Sequence, residues 1–226
     1  MKLAITHLVL STATFGLMLG VPQNAQASGL IRSVTATAPG FTTGGLGSLD
    51  ATTNGFGLEG PPLNRPTLTG NHAQTNTGTN PNAWRSSRPD PGAIGNVTIN
   101  FAFGRIYNLA GFSFWNLNGT SGINTVTIQY SSNNGGNWTT LTDPGVPAFF
   151  TGRPTTGVVS AQQVSFSPVY ATNVRFINMS NHGATGLNYR LGFNEIQFTS
   201  IPEPSTTLAL LALGLAGMGL GLRKRI

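Results

Sequence analysis

The stretch NVTINFAFG, residues 96–104, decides the predicted fold. Its apolar side chains stand at every second position, at Val97, Ile99, Phe101 and Phe103, with threonine, asparagine and alanine between them. Successive side chains of a β-strand point to opposite faces of a sheet, so this alternation places four large apolar groups on one face. The stretch therefore predicts a strand that buries one face and leaves the other face to solvent.

The same period of two recurs in shorter runs farther along the chain, at 112–114, 126–130, 164–166, 174–176 and 196–198. Turn-forming residues separate the runs, and no stretch between residues 28 and 200 has the apolar spacing of a helix. β-Branched and aromatic residues fill the runs, as strands prefer. The predicted fold class is all-β, an antiparallel jelly-roll β-sandwich.

Residues 28–70 differ in composition, because glycine, threonine and asparagine dominate there. The weak apolar periodicity predicts long loops with short strands near 31–36 and 55–58. The predicted organisation is thus an N-terminal segment of strand and loops, 28–70, followed by the β-sandwich domain, 71–200.

Six motifs follow one another in this domain: NAWRSS (82–87), NVTINFAFG (96–104), NLAGFSFWN (108–116), NTVTIQYSSNNGGNWTTL (124–141), SPVYATNVRFINMSNHG (167–183) and LGFNEIQF (191–198). Their order resembles the discoidin-like domains, the coagulation-factor C-type modules with a galactose-binding-like jelly roll. The most specific stretch is V-x-I-x-Y-S-x-(N/D)-G-x-x-W, which runs from Val126 to Trp138. Two features depart from the family. Residues 102–104 lack the acid usual in that strand, and the disulfide of animal members is absent.

The resemblance also implies positions for particular side chains. Trp84 and Trp138 match core positions of the family, so both are expected to be buried. Glu195 is expected near Arg175 by family topology, as a structural ion pair or as a clamp on the backbone.

The N-terminus has the three parts of a secretory signal peptide. A basic start is followed by an apolar run from Leu3 to Val21 and then by the small-residue pattern of Ala25 and Ala27, which signal peptidase reads. We expect residues 1–27 to be a signal peptide; a buried N-terminal helix is the alternative.

The C-terminus, residues 201–226, also has three parts in order: a Pro-Glu-Pro, an apolar helix across 208–222, and a basic end. The order resembles the PEP-CTERM sorting signal, in which the processing residues are Pro202, Glu203, Pro204, Arg223, Lys224 and Arg225. It implies transient anchoring of the helix in the inner membrane with the domain outside, recognition by an exosortase, and transfer to the cell surface or release. A plain anchor that is never cut is the alternative.

Composition excludes several classes of function. Residues 28–200 contain eight arginines, no lysine and five acidic residues, so their formal net charge is +3 rather than the +6 of the whole chain. The arginines form no cluster, which argues against nucleic acid as a partner. The chain has no cysteine, which excludes disulfides and zinc sites built on thiolates.

The sequence offers no set of catalytic groups, so we predict that the protein is not an enzyme. There is no G-x-S-x-G motif, and Asp143 lies in a turn context, Thr-Asp-Pro-Gly. No cofactor is predicted. A structural calcium ion on main-chain oxygens of the N-terminal loops is compatible with this fold, but no residue pattern supports it.

The family resemblance implies a ligand site on loops at one end of the sandwich. Aromatic rings stack on sugar rings, and amide and guanidinium groups bond sugar hydroxyls, so loops with such side chains are candidates. The predicted ligand-binding residues are Trp115, Asn116, Asn118, Phe150, Arg153, Asn181, His182, Tyr189 and Arg190. Structural roles remain open for several of them, since Trp115 ends a strand and Phe149–Phe150 could close the end of the barrel.

The functional hypothesis is a surface-sorted, non-catalytic protein that binds carbohydrate or exopolysaccharide. Its expected partners are signal peptidase and exosortase as processing enzymes, extracellular polysaccharide, and the membrane through the C-terminal helix before processing. A structural matrix or biofilm protein without a defined ligand is the first alternative, and a glycan-acting hydrolase is the second.

Overall fold

The computed structural model describes residues 29–41, 46–59, 67–73, 82–87, 97–152, 156–183 and 190–201. The predicted signal peptide lies outside these residues, as does the predicted sorting helix with its basic end. Regular structure in the described part is β, apart from one 3-10 turn at Leu49–Thr52. Within the same part, no helix is long and apolar enough to cross a membrane. The all-β prediction is confirmed.

Two strands are long and the others short. The strands of the described residues are β1 Gly29–Leu30, β2 Thr35–Thr37, β3 Leu58–Glu59, β4 Asn71–His72, β5 Trp84–Arg85, β6 Ile99–Asn116, β7 Thr127–Ser131, β8 Thr139–Thr140, β9 Val159–Ser160, β10 Gln162–Ile177 and β11 Gly192–Ser200. All their pairings are antiparallel. Strands β3, β4 and β9 form a small separate sheet.

The long strands β6 and β10 belong to both layers of the sandwich. The first part of β6, 99–102, pairs with β2 and with the end of β10, which also pairs with β7; β8 then completes this first layer. The last part of β6, 109–116, pairs with β11 and with the start of β10, forming the second layer. The bend of β6 lies at Gly104, whose φ of 72° suits glycine. Register shifts in β10 accompany the bend.

Phenylalanine rings fill the space between the layers. Phe101 of the first layer contacts Phe198 of the second with ring centroids 5.3 Å apart, and Phe112 of the second layer lies 6.0 Å from Phe176 of the first. The alternating apolar residues Val97, Ile99, Phe101 and Phe103 are all buried, as their spacing predicts. Burial of many aromatic side chains supplies most of the driving force for this fold.

Two side-chain placements predicted from the family resemblance differ in the structure. Glu195 does not pair with Arg175: one carboxylate oxygen, Oε1, accepts hydrogen bonds from the N–H of Gly55, at 3.1 Å, and from the side chain of Gln197. Arg175 lies in the first layer and donates from Nε to Gln129 at 2.7 Å. The predicted ion pair is wrong, because the N-terminal loop at residue 55 covers β11. The other expectation, that Glu195 binds backbone, is met by its hydrogen bond from the N–H of Gly55.

The two tryptophans expected in the core differ in burial. Trp84 is buried, with 1 % of its surface exposed. Trp138 is only half-buried, because it lies outside the first layer with the guanidinium of Arg175 over its ring. The expectation is confirmed for Trp84 and wrong for Trp138.

The buried carboxyl of Glu195 gives a testable pH dependence. Burial raises its pKa well above the usual range, against the opposing effect of its two hydrogen bonds, and Oε2 has no hydrogen-bond partner. The unfolded chain therefore loses this proton at a lower pH than the folded protein does. Hence the contribution of Glu195 to stability is fully present below the unfolded pKa, about 4.3, and is lost as pH rises toward the folded pKa.

Glu195→Gln is neutral at every pH and escapes this loss. We expect it to exceed the wild type in stability at pH 8 by on the order of 2 kcal/mol, the scale of an unsatisfied buried polar group. The difference should fade toward pH 4. Thermal unfolding followed by circular dichroism, with EDTA present, measures it, and exposed Asp50→Asn is the control. A Glu195→Gln protein less stable than the wild type at pH 8 would contradict the prediction.

Candidate functional site

Three loops converge at one end of the sandwich. We call residues 117–125, 149–152 and 180–183 the loop rim. Backbone bridges join Ile123 to Asn181 and Thr125 to Phe149. The N–H of His182 donates to the carbonyl of Thr120 at 3.1 Å. The structure thus brings together the described parts of the three predicted loops.

The side chain of Asn116 holds the rim together from inside. It is 1 % exposed, and its Oδ1 accepts from the N–H groups of Leu117 and Ile123 at 3.0 and 2.8 Å. Its Nδ2 donates to the carbonyls of Ile123 and Thr151 at 2.8 and 3.2 Å. Each atom of the amide is therefore occupied by backbone, so Asn116 positions two loops and presents no free polar atom to a ligand.

Trp115 and Asn118 are also turned inward. Trp115 is fully buried and packs with Leu58 and Val159, and its indole N–H donates to the carbonyl of Gly70 at 3.1 Å. Asn118 is 2 % exposed and donates from Nδ2 to the carbonyl of Gly157 at 3.1 Å. The polar group of each side chain is thus turned toward backbone carbonyls inside the protein.

Adjacent phenylalanines take opposite positions on the rim. Phe150 is fully buried, and its ring stacks on Phe114 with centroids 4.0 Å apart. Phe149 is 62 % exposed. The structure thus places the predicted contact residue Phe150 in the core and its neighbour at the surface. The sequence predicted Phe150 as the exposed contact, whereas the exposed ring is that of Phe149. Adjacent side chains of an extended segment point in opposite directions, so burial of one implies exposure of the other.

In the third loop, His182 packs against the second loop. It is half-buried, and its ring packs against Gly152, where an added Cβ would lie 3.1 Å from Nδ1. Its Nε2 has no hydrogen-bond partner. Neighbouring Asn181 is buried and donates from Nδ2 to the carbonyl of Arg190 at 3.0 Å. Nε2 of His182 is therefore a buried ring nitrogen, closed off from solvent, and the ring packs the third loop against the second.

The two arginines beside the rim form a positive region. Arg190 is half-buried and lies near Arg85, whose pKa is lowered by burial and by the charge of Arg190. The predicted contact residues Arg153 and Tyr189 lie outside the described residues.

A pair of hydroxyl groups lies beside the backbone of Phe149. Thr125 bridges to Phe149 along the backbone, and its Oγ1 lies 2.6 Å from Oγ of Ser180 in an exposed hydrogen bond. Thr120 and Thr151 are exposed as well. The rim therefore combines one exposed aromatic face with exposed hydroxyls, which is a set that can bind a sugar by stacking and hydrogen bonding.

The carboxylates of the described residues lie elsewhere. Asp143 occupies the predicted turn, accepting from the N–H groups of Gly145 and Ser167 at 2.9 Å each, and bonding to Ser167 and Gly145 lowers its pKa. In the described part of the chain, no group of three or more histidine or acidic residues could hold a metal ion. None of the described rim residues is acidic, so the rim offers no pair of carboxylates for glycoside hydrolysis there.

His72, the second histidine of the domain, is away from the rim and buried. Its Nδ1 lies 2.8 Å from the carbonyl of Ala73, and its Nε2 lies 3.0 Å from that of Phe56. Burial lowers its pKa, against the opposing effect of these carbonyls. Both nitrogens face backbone, so His72 fastens the small sheet to the loop that precedes it.

A family model for the F5/8 type C domain matches residues 59–191, more than half of the chain. The chain belongs to the F5/8 type C domain family. This match confirms the discoidin-like resemblance and, with the observed strand pairing, the β-sandwich prediction. The F5/8 type C domain is typically non-catalytic.

A second model, the PEP-CTERM protein-sorting motif, matches residues 200–225. The predicted sorting segment is thereby confirmed. The motif indicates that this F5/8 type C protein is exported and surface-sorted, and it implies processing by an exosortase.

Several solved structures resemble this F5/8 type C chain at low sequence identity. CpGH89 from Clostridium perfringens, in complex with its substrate GlcNAc-α-1,4-galactose, matches with a TM-score of 0.45 and 20 % identity, over 78 % of this chain and 16 % of that one. The family 32 CBM of C. perfringens NanJ, in complex with galactose, matches with a TM-score of 0.46 and 12 % identity, over 77 % of this chain and 100 % of that one. Truncated AlyQ, with CBM32 and alginate lyase domains, matches with a TM-score of 0.49 and 14 % identity, over 80 % of this chain and 35 % of that one. Among curated proteins, none matches this sequence.

Proposed function

We propose that this surface-sorted protein binds carbohydrate at the loop rim and performs no catalysis. The F5/8 type C family membership supports a binding role. The geometry adds a specific contact surface: an exposed aromatic ring stands beside exposed hydroxyls. The single observation on which this proposal rests is the 62 % exposure of Phe149 next to the Thr125–Ser180 hydroxyl pair.

In the proposed complex, each part of the rim has a separate task. The ring of Phe149 stacks on the apolar face of a sugar. Thr125 and Ser180 exchange hydrogen bonds with the sugar hydroxyls at the edge of that ring. His182 packs its ring against Gly152 and so positions the third loop beside the second. Asn181 holds the third loop through its hydrogen bond to the carbonyl of Arg190. Arg153 and Tyr189 stay predicted contact residues on the chemistry of their side chains.

Binding is tested with the full chain, purified in mild detergent, against exopolysaccharide extracted from the bacterium that makes the protein. Phe149→Ala is expected to weaken binding about tenfold, which corresponds to about 1.4 kcal/mol, because it removes the stacking platform. Tyr170→Ala is the matched control, since Tyr170 is 55 % exposed on β10 but lies at the opposite end of the sandwich. No retention of the wild type, or equal retention of the two variants, would contradict the rim assignment.

The absence of catalysis is tested separately. We expect the wild type to release no reducing sugar from the same polysaccharide. Hydrolysis that disappears in Glu195→Gln or Asp143→Asn would instead identify a glycan-acting hydrolase.

The details of processing are part of the proposal. Signal peptidase cleaves after Ala27, the C-terminal helix anchors the protein transiently in the inner membrane, and exosortase cleaves near Pro202–Pro204. Intact mass and cell fraction of the native protein test this, with loss of both ends and a surface or extracellular location expected. A full-length mass in the membrane fraction would contradict it.

A further inference from the structure

The outer face of the first layer presents one row of polar side chains. The register aligns one residue from each of five neighbouring strands, and we call this set the polar row: Thr37, Asn100, Arg175, Gln129 and Thr140. Residues directly opposite one another in antiparallel strands project on the same face. With strands about 4.8 Å apart, the row extends for about 19 Å across the sheet.

The row faces outward, away from the core. The residues before and after the central positions, Phe101, Val174 and Ile128, point into the core, so their neighbours in the row point outward. Thr37 and Thr140 at the two ends are exposed, and the three residues between them are half-buried by their lateral neighbours. The row thus lies on the solvent side of the sheet and is not part of the packing between the layers.

The guanidinium of Arg175 is fixed on two sides. Its Nε donates to Oε1 of Gln129 at 2.7 Å, and Nε2 of Gln129 donates to Oγ1 of Thr140 at 3.0 Å. Its plane lies over the ring of Trp138, 4.2 Å from the centroid. This arrangement holds one charged group in a single orientation, and an oriented guanidinium loses little freedom when it binds a planar anion.

The remaining end of that guanidinium has no partner among the residues that the structure describes. The described residues place no acidic side chain in the row or at the flanking outward positions Thr35, Ala102 and Asn173, and the Nη groups of Arg175 form no ion pair or hydrogen bond with them. Because Nε is already occupied, the two Nη groups form the open fork. Such a fork matches the two oxygens of a carboxylate.

We propose that the polar row binds a strand of acidic polysaccharide, with the carboxylate of a uronic acid unit on the Nη groups of Arg175. Charge complementarity selects the acidic unit, and the hydroxyl and amide groups on either side bond the hydroxyls of neighbouring sugar units. A strand that lies across the sheet meets Asn100 and Thr37 on one side of Arg175, and Gln129 and Thr140 on the other. This site is on the sheet face and is separate from the loop rim.

The test uses the full chain in mild detergent and two forms of one polymer: polygalacturonate, and the same polymer after chemical reduction of its carboxyl groups. We expect the wild type to bind polygalacturonate about tenfold more tightly than the reduced form, as a charge-assisted bidentate contact implies. Arg175→Lys keeps the charge but removes the fork, and it should lose about tenfold in affinity for polygalacturonate. Asn100→Ala should lose about threefold, the scale of one hydrogen bond to a sugar hydroxyl. Circular dichroism spectra check that each variant is folded.

Phe149→Ala distinguishes this site from the rim, because it should leave polygalacturonate binding unchanged. The proposal is overturned if the reduced polymer binds as well as the acidic one. It is also overturned if Arg175→Lys and Asn100→Ala both bind like the wild type, since the attraction would then be general electrostatics. Should Arg175→Lys fail to fold, Asn100→Ala and Thr140→Ala still decide the question. Loss of binding in Phe149→Ala alone would assign the acidic polymer to the loop rim.

Discussion

Replacing Phe150 by alanine is expected to lower the free energy of unfolding by about 3–5 kcal/mol, the range for deleting a buried aromatic side chain. Phe150 is fully buried and stacks on Phe114 at 4.0 Å, and its ring also lies 5.9 Å from Phe176 of the other layer. Its loss leaves a cavity where the two layers meet the rim. The neighbouring substitution Phe149→Ala should change stability by no more than about 0.5 kcal/mol, because that ring is exposed.

Thermal unfolding distinguishes the two variants directly. For a domain of this size the expected fall in Tm is roughly 6–20 °C for Phe150→Ala and near zero for Phe149→Ala. An equal fall in Tm for the two substitutions would contradict the burial of Phe150 and the exposure of Phe149. The rim model would then lose its aromatic platform as well.

The second large effect is expected at Asn116. Asn116→Ala removes four hydrogen bonds and leaves buried backbone groups of Leu117 and Ile123 without partners, with a loss of about 2–4 kcal/mol. The side-chain amide of Asn116 also bonds the carbonyl of Thr151 in the second rim loop. Its removal should therefore let the first and second rim loops separate locally. The exposed residue Thr120 lies on the same loop, and Thr120→Ala is the control with little expected effect on stability.

Hydrogen exchange measures both parts of this prediction. In Asn116→Ala, the amide of Ile123 should lose more protection against exchange than the fall in global stability accounts for. The core amides of β6 should lose only as much protection as that fall in global stability. Affinity for the exopolysaccharide should fall in parallel, although Asn116 contacts no ligand in the proposed complex. Unchanged protection at Ile123 would show that the rim is held by other contacts.

The strands could be predicted from sequence because each one buries a single face. Val97 to Phe103 alternate cleanly, and the structure buries all four apolar members. The sequence did not predict that this run and the run at 112–114 are parts of one strand, because Gly104 and the exposed residues Arg105 and Ile106 interrupt the pattern. Pairing with β10 continues on both sides of that bend and makes the strand continuous.

The candidate site was less predictable than the fold. The three loops were identified, and the structure joins their described parts, but the choice of individual side chains was weaker. Asn116 and Asn118 have the composition of ligand contacts, yet buried backbone groups of other loops occupy their amides. The structure buries Phe150 and exposes Phe149, and the sequence alone does not show which of two adjacent rings in a loop points outward.

By itself, the sequence determined the class of fold, its family and the sorting segment. These three conclusions rest on local patterns: the alternation of apolar residues, the order of short motifs and the Pro-Glu-Pro segment. Each pattern is visible in the sequence without knowledge of the contacts that its residues make in the fold. Only the tertiary structure decided the partners of Glu195, the position of Trp138 under Arg175 and the alignment of the polar row. These depend on strand register and on which loop covers which face, and contacts between residues distant in the chain set both.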